Sequence, residues 1–251
     1  MTPRLIGKSS ILISPIGFGS FKIGRNQKAK YPTSYDLPTD QEVADLVDGL
    51  LESGVTYFDT APAYGISEQR LGQALAGRRT DCVVSTKVGE TFDDGVSTYE
   101  FSRDAVTNSI TRSLTNLQTD AVDIVFVHSN GDDLYIQQNT DVVDCLLKAR
   151  DAGQTTMIGF SGKTAEGARA ALEWADAIMV EYHIDDTSHA DVIAAAGEQG
   201  VGVIVKKGLA SGHLSAAEAI RFVLSNPAVS SLIVGSLNLE HMQQNIAAVQ
   251  C

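Results

Sequence analysis

The hydrophobic positions of this 251-residue chain fall into two alternating kinds of run. Short, nearly continuous apolar segments give way to longer stretches with apolar residues at helical spacing. The short runs read as strands at 16–19, 55–58, 82–86, 122–127, 156–160, 177–180, 202–205 and 231–234. The longer stretches read as helices at 40–53, 67–75, 102–117, 140–152, 164–174, 188–199, 215–225 and 239–249. Thr39 or Asp40 caps the first helix and Ser67-Glu68 opens the second. Gly54, Gly153 and Gly200 each stand between a helix and the next strand, as left-handed terminating residues do. Continuous apolar strands are buried on both faces, which is the habit of parallel sheets. Eight strictly alternating strand–helix units imply an α/β fold, a (β/α)8 TIM barrel, as one domain over residues 1–251. Ahead of it, residues 4–6 and 11–13 flank the turn Gly7-Lys8-Ser9-Ser10 and predict an N-terminal β-hairpin. The polar, proline-bearing segment 27–38 reads as an excursion on the active-site side.

Length and composition agree with that picture. The chain is close to the ~250 residues typical of one such barrel. Apolar residues make up 43% and charged residues 20%, an ordinary soluble composition. A net charge of −12 argues against nucleic-acid or anionic-membrane partners. Cys82, Cys145 and Cys251 match no metal spacing and are odd in number, so free thiols are expected. The N-terminus lacks a signal peptide's apolar run and no stretch reaches membrane-spanning length. The expectation is a cytoplasmic protein, monomeric or a small homo-oligomer, without membrane or nucleic-acid partners.

In this fold, chemistry sits at the C-terminal ends of the strands. Asp59, Lys87 and His128 follow strands two, three and four, and Tyr64 lies five residues beyond Asp59. Singly, each has an ordinary structural explanation: a cap, packing, a solvated charge, a satisfied histidine. Together at consecutive strand ends they form a coherent set. A carbonyl that accepts hydride becomes an alkoxide and needs a proton. Tyrosine, at pKa ≈ 10, is a reluctant acid. A nearby ammonium such as Lys87 lowers that pKa, and Asp59 holds the ammonium in place. His128 can orient the carbonyl oxygen. Polar hydrogens aimed at the developing oxyanion contribute ~3 kcal/mol.

Several motifs resemble the aldo-keto reductase superfamily. They are Phe58-Asp59-Thr60-Ala61-Pro62-Ala63-Tyr64-Gly65-Ile66-Ser67-Glu68, Ser85-Thr86-Lys87-Val88-Gly89, Leu117-Gln118-Thr119-Asp120 with Val122-Asp123, and Ile158-Gly159-Phe160-Ser161. They occur in the family's order across nearly the whole chain. The resemblance implies NADP(H)-dependent reduction of a small-molecule aldehyde or ketone, with NAD(H) also admissible. It implies Tyr64 as general acid, tuned by Lys87 and Asp59, with His128 orienting substrate. In the family, a Ser-Asn pair and a Gln hold the nicotinamide carboxamide. Ser161 is present, but Gly162 and Met179 replace the other two. Lys206 stands where an aromatic residue usually stacks on the nicotinamide. The loop of Lys206, Lys207, Leu209 and Ser211 is placed along the pyrophosphate. Gly235, Ser236 and Asn238 are placed at the adenosine phosphate, and Gln244 and Asn245 at the adenine. No fixed cation marks the 2′-phosphate site, where Leu237 and His241 stand instead. Expected substrate walls are Phe21, Lys22, Tyr31, Phe92 and the loop 129–139. Longer family members extend a loop beyond the last helix, so an open pocket is expected here. No metal is expected, although His183, His189, Asp185 and Asp186 cluster in sequence, and Asp132-Asp133 read as loop charges.

Two other readings use the same residues. The altered contacts at Gly162 and Met179 suit a cofactor-binding regulatory protein with little turnover, like the potassium-channel beta subunits of this family. Lys87 or Lys206 could instead form a Schiff base in a barrel lyase or aldolase.

Overall fold

The apolar runs form the strands they predict, and the polar residues that follow them extend those strands. The computed structural model describes residues 1–29 and 34–249; Tyr31 and Cys251 lie outside them. Eight parallel strands close in chain order into a barrel. They are β1 (Ile16–Gly19), β2 (Tyr57–Asp59), β3 (Val83–Val88), β4 (Val122–His128), β5 (Thr155–Ser161), β6 (Ala177–Glu181), β7 (Gly202–Lys206) and β8 (Val229–Val234). The helices between and after them are α1 (Asp40–Glu52), α2 (Ser67–Ala74), α3 (Arg103–Asn116), α4 (Val142–Asp151), α5 (Ala165–Ala171), α6 (Ala190–Gln199), α7 (Ala216–Ser225) and α8 (Leu239–Ala247). None is long and apolar enough to cross a membrane.

Successive side chains alternate across each strand, so the barrel has two apolar layers. Phe18, Phe58, Val84, Val125, Phe160 and Val205 belong to the outer layer, against the helices. Tyr57, Val83, Ile124, Phe126, Met179 and Ile204 fill the interior. The N-terminal hairpin pairs Arg4–Leu5 with Leu12–Ile13. Its Ile6 and Ile13 join the interior cluster and plug the end where the strands begin. The opposite end stays open to carry the site.

Helix ends obey local chemistry. Thr39 closes a capping box on α1: its backbone N–H donates to Glu42 Oε2 at 2.7 Å, and its hydroxyl accepts from the Glu42 N–H. Gly54, Gly153 and Gly200 have φ of 82°, 73° and 71°, the left-handed conformation their positions called for.

Several short elements are additional to those predicted. After β3 the chain forms an antiparallel hairpin, Glu90–Asp93 with Val96–Tyr99. Inside the predicted loop 129–139 lies a short helix, Asp133–Asn139. Between β1 and the polar segment 27–38 lies a single helical turn, Phe21–Gly24.

Candidate active site

The same alternation that fills the barrel decides what reaches its open end. On β2, Tyr57 points inward, Phe58 outward and Asp59 inward. On β3, Val83, Ser85 and Lys87 share the inward phase; on β4, Ile124, Phe126 and His128 share it. Ser161, Glu181 and Lys206 follow the same rule on β5, β6 and β7. Six of the eight strands, β2 to β7, thus bring one polar side chain to the open end, and these line a cleft of about 980 Å³.

Lys87 and Asp59 form its floor. Lys87 Nζ donates to both Asp59 carboxylate oxygens, at 2.7 and 2.6 Å, and to the Thr60 carbonyl at 2.8 Å. The two side chains are 1% and 3% exposed. Ser85 donates to the same carboxylate at 2.7 Å and exchanges a 2.9 Å hydrogen bond with the Tyr57 hydroxyl. Burial pulls the Lys87 ammonium below its ordinary pKa, and Asp59 opposes that shift. The ion pair keeps charge where burial would otherwise expel it.

Tyr64 ends a short 3-10 turn, Pro62–Tyr64, after β2. Gly65 anchors this turn with φ 63°, and a Cβ there would lie 2.3 Å from the Gly24 carbonyl oxygen. The close approach of the two backbones needs glycine on both counts. The Tyr64 ring packs edge-on against Phe21 at 5.2 Å and against His128 at 6.1 Å, with Lys87 Nζ 4.8 Å from its centroid. Asp59, Tyr64, Lys87 and His128 therefore converge as the sequence predicts.

His128 Nδ1 lies 3.0 Å from Glu90 Oε2, at an angle outside hydrogen-bonding range. Desolvation, then the charges of Lys87 and Lys206, hold the imidazole well below its usual pKa. It is neutral at physiological pH. Glu90 also faces Tyr99, whose pKa burial and this carboxylate push up to about 12.

The wall formed by β5, β6 and β7 departs from the family pattern. Lys206 Nζ donates to Ser161 Oγ at 2.9 Å and to the Gly162 carbonyl at 2.8 Å. A Cβ at Gly162 would meet the Phe160 ring at 2.6 Å and Asp133 Oδ2 at 2.8 Å. A family-type asparagine does not fit there, and the Lys206 ammonium occupies the polar space instead. Met179 lines the cleft as part of the apolar interior. Desolvation, then Lys207 and Lys87, lower the Lys206 pKa to about 7.

The loop after β7 is strained. Lys207, Ala210 and Ser211 have φ of 55°, 46° and 59°, and Gly212 has 95°. Left-handed non-glycine residues cluster where a backbone serves a site. Lys207, Leu209, Ser211, Gly212 and Gly235 all line the cleft. The amides of Ala210 and Gly212 close turns within this loop, donating to the carbonyls of Lys207 at 2.7 Å and Leu209 at 2.9 Å. Lys207 itself pairs with Glu181.

The other cofactor candidates lie beyond the cleft. Asn238 caps α8, its side-chain oxygen accepting from His241 N at 3.1 Å. Ser236 Oγ accepts from Asn238 N at 3.1 Å. Gln244 is exposed on α8 and Asn245 is buried under it. Of the expected substrate walls, Phe21, Lys22 and Ser129 line the cleft. Phe92 instead stacks beneath the Arg25 guanidinium, 3.3 Å from its ring centroid.

Sequence reasoning missed Glu90, Arg25, Tyr99 and Glu181. Glu181 had a usable signal, a polar residue at the inward phase of a strand end. The Asp132-Asp133 reading is corrected for Asp133, which is 2% exposed. It accepts from the Lys163 and Thr164 N–H groups and the Thr164 hydroxyl, each at 2.8 Å, and ties β4 to the start of α5.

Comparison with known proteins agrees with this geometry. The aldo/keto reductase family model matches residues 15–219. A structure of an aldo-keto reductase from Pseudomonas aeruginosa superposes with a TM-score of 0.91 and 39% identity, covering 98% of this chain and 94% of that one. The holo form of an aldo-keto reductase from Bacillus halodurans shares the fold, with a TM-score of 0.86, 24% identity, and coverage of 100% and 91%. L-galactose dehydrogenase of Arabidopsis thaliana is 27% identical over 290 residues, covering 98% of this chain and 87% of that protein.

Proposed function

The chain belongs to the aldo/keto reductase family, and from that premise we propose how its own residues carry out NAD(P)H-dependent reduction of an aldehyde or ketone. When bound, the nicotinamide cofactor supplies the hydride. Tyr64 gives the proton to the developing alkoxide. Lys87, held by Asp59 and Thr60, lies beside the Tyr64 ring and stabilises the tyrosinate left behind. His128 is neutral, so it presents an N–H to the carbonyl oxygen without adding a cation to the site. The observation that carries this reading is the buried Lys87–Asp59 pair beneath Tyr64 at the open barrel end.

Ser161, Lys206, Lys207, Leu209, Ser211 and Gly235 would hold the cofactor, with Ser236, Asn238, Gln244 and Asn245 toward its adenosine end. We assign NADP(H) as the preferred form and NAD(H) as an accepted one. The NADP(H) preference rests on the family resemblance and on Ser236 and Asn238 near the adenosine end, and the missing arginine near Leu237 weakens the discrimination. We assign the protein to the cytoplasm, a reading that the free buried thiols Cys82 and Cys145 support.

Following NADPH consumption across an aldehyde panel that includes aldoses tests the proposal. L-galactose dehydrogenase is the reason to include sugars. Tyr64→Phe is expected to abolish turnover and leave NADPH affinity unchanged. Retained turnover would refute the role given to Tyr64. Tight NADPH binding with no turnover on any carbonyl would favour the regulatory reading. Parallel NADPH and NADH titrations measure the cofactor preference.

A further inference from the structure

Among the described residues, Lys206 lines the cleft without a carboxylate within salt-bridge distance. Its two bonds go to neutral oxygens, Ser161 Oγ and Gly162 O. The neighbouring charges are committed elsewhere. Asp59 holds Lys87 and Glu181 holds Lys207. Asp133 accepts from the chain around Lys163 and Thr164. The two nearby imidazoles, His128 and His189, are both lowered in pKa by desolvation and carry no negative charge. Lys206, when protonated, is thus an uncompensated positive charge in the cleft wall.

Its position matters for the cofactor reading above. The hydride must leave from a point next to Tyr64 and His128. The diphosphate is assigned to the loop from Lys207 to Gly212. The cleft wall between those two places is made of Ser161, Gly162, Met179 and Lys206. A nicotinamide ring bound along this wall would have Lys206 as its neighbouring charge. The oxidised nicotinamide is a cation and the reduced one is neutral.

We propose that the Lys206 ammonium makes this site bind the reduced cofactor in preference to the oxidised one. This rests on the proposed cofactor site. Both cofactor forms carry the same phosphates, so diphosphate contacts cancel in the ratio of their affinities. The ratio isolates the charge on the ring. Two unit charges a few ångströms apart in a partly solvated cleft change an affinity by about tenfold or more. The preference also depends on pH, because burial and the neighbouring lysines bring Lys206 to about 7 in the free protein.

Isothermal titration calorimetry with NADP+ and NADPH, from pH 6 to pH 9, tests this without turnover. In the unmodified protein, the Kd for the oxidised form divided by that for the reduced form is expected to fall about tenfold over this range. In Lys206→Met the ratio is expected to be low and flat. In Lys206→Arg it is expected to stay high at every pH. The pH series on the unmodified protein stands alone if a variant fails to fold. A ratio that is flat with pH and unchanged in Lys206→Met would overturn the inference. Failure of both forms to bind would instead overturn the cofactor assignment on which it depends.

Discussion

Replacing Lys87 by methionine separates the structural role of the buried ion pair from its chemical one. Lys87→Met keeps most of the stem's volume and removes the charge. It leaves the Asp59 carboxylate 3% exposed, with Ser85 as its remaining side-chain donor. Breaking one side of such a pair costs about 3–5 kcal/mol, because the survivor is a buried charge without a partner. For a chain of this length each kcal/mol lowers Tm by roughly 2–4 °C, so the expected drop is on the order of 10 °C. Adding Asp59→Asn to Lys87→Met removes the stranded charge and is expected to recover most of the loss. Urea unfolding of the four proteins in this cycle, followed by circular dichroism, gives the coupling directly. The double variant regains stability but not catalysis, since the group stabilising the tyrosinate is gone. A loss below about 1 kcal/mol in Lys87→Met, of the size seen for exposed pairs, would refute the claim that this pair is desolvated.

Other consequences are narrower. Gly162→Asn, which restores the family residue, is expected to destabilise by roughly 1–3 kcal/mol through overpacking against Phe160 and Asp133, measurable as a lower urea midpoint. Thr39→Ala removes the hydroxyl half of the α1 capping box and is expected to cost about 1 kcal/mol in the same assay. The kcat/KM profile for an aldehyde is expected to show no limb near the ordinary histidine value of ~6.5, because His128 titrates well below it; a limb there that vanishes in His128→Gln would contradict this. The depressed Lys206 pKa has the opposite sign to a stabilising pair: the unfolded chain binds the extra proton between about 7 and ~10.4. The unmodified protein should therefore gain stability relative to Lys206→Met as pH rises through that window, read by parallel urea midpoints.

The barrel was legible because its strands are buried on both faces and its helices on one, which writes two different periods into the chain. Of the four candidate catalytic residues, Asp59, Lys87 and His128 were legible as polar residues at consecutive strand ends, and Tyr64 by its place in the loop after the first of them. What escaped did so for physical reasons. An apolar criterion stops a strand at its last apolar residue, so Asp59, Lys87 and His128 read as following strands of which they are the last or nearly last residues. The hairpin Glu90–Tyr99 is mostly solvent-facing and carries no apolar period, so Glu90 and Tyr99 were invisible as site residues. Asp133 reads as a loop charge in sequence, since its partners on the start of α5 are some thirty positions away.

The cofactor wall shows why motif loss and site loss are different things. Read residue by residue, Gly162, Met179 and Lys206 are three departures from one pattern. In space two of them are a single change. Gly162 lacks a side chain because Phe160 and Asp133 already fill the volume a Cβ needs. That leaves the Gly162 carbonyl and the Ser161 hydroxyl without the amide that usually accompanies them, and Lys206 reaches across from β7 to bond both. An aromatic side chain at 206 could not supply those donors, and an asparagine at 162 would displace the groups beside it. A side chain at 162 meets Phe160 and Asp133 whatever stands at 206, and loss of Lys206 leaves the Ser161 hydroxyl and the Gly162 carbonyl without this donor. The exchange also swaps a neutral stacking surface for a titratable cation. Loss of the family pattern here leaves a polar, organised wall whose charge responds to pH.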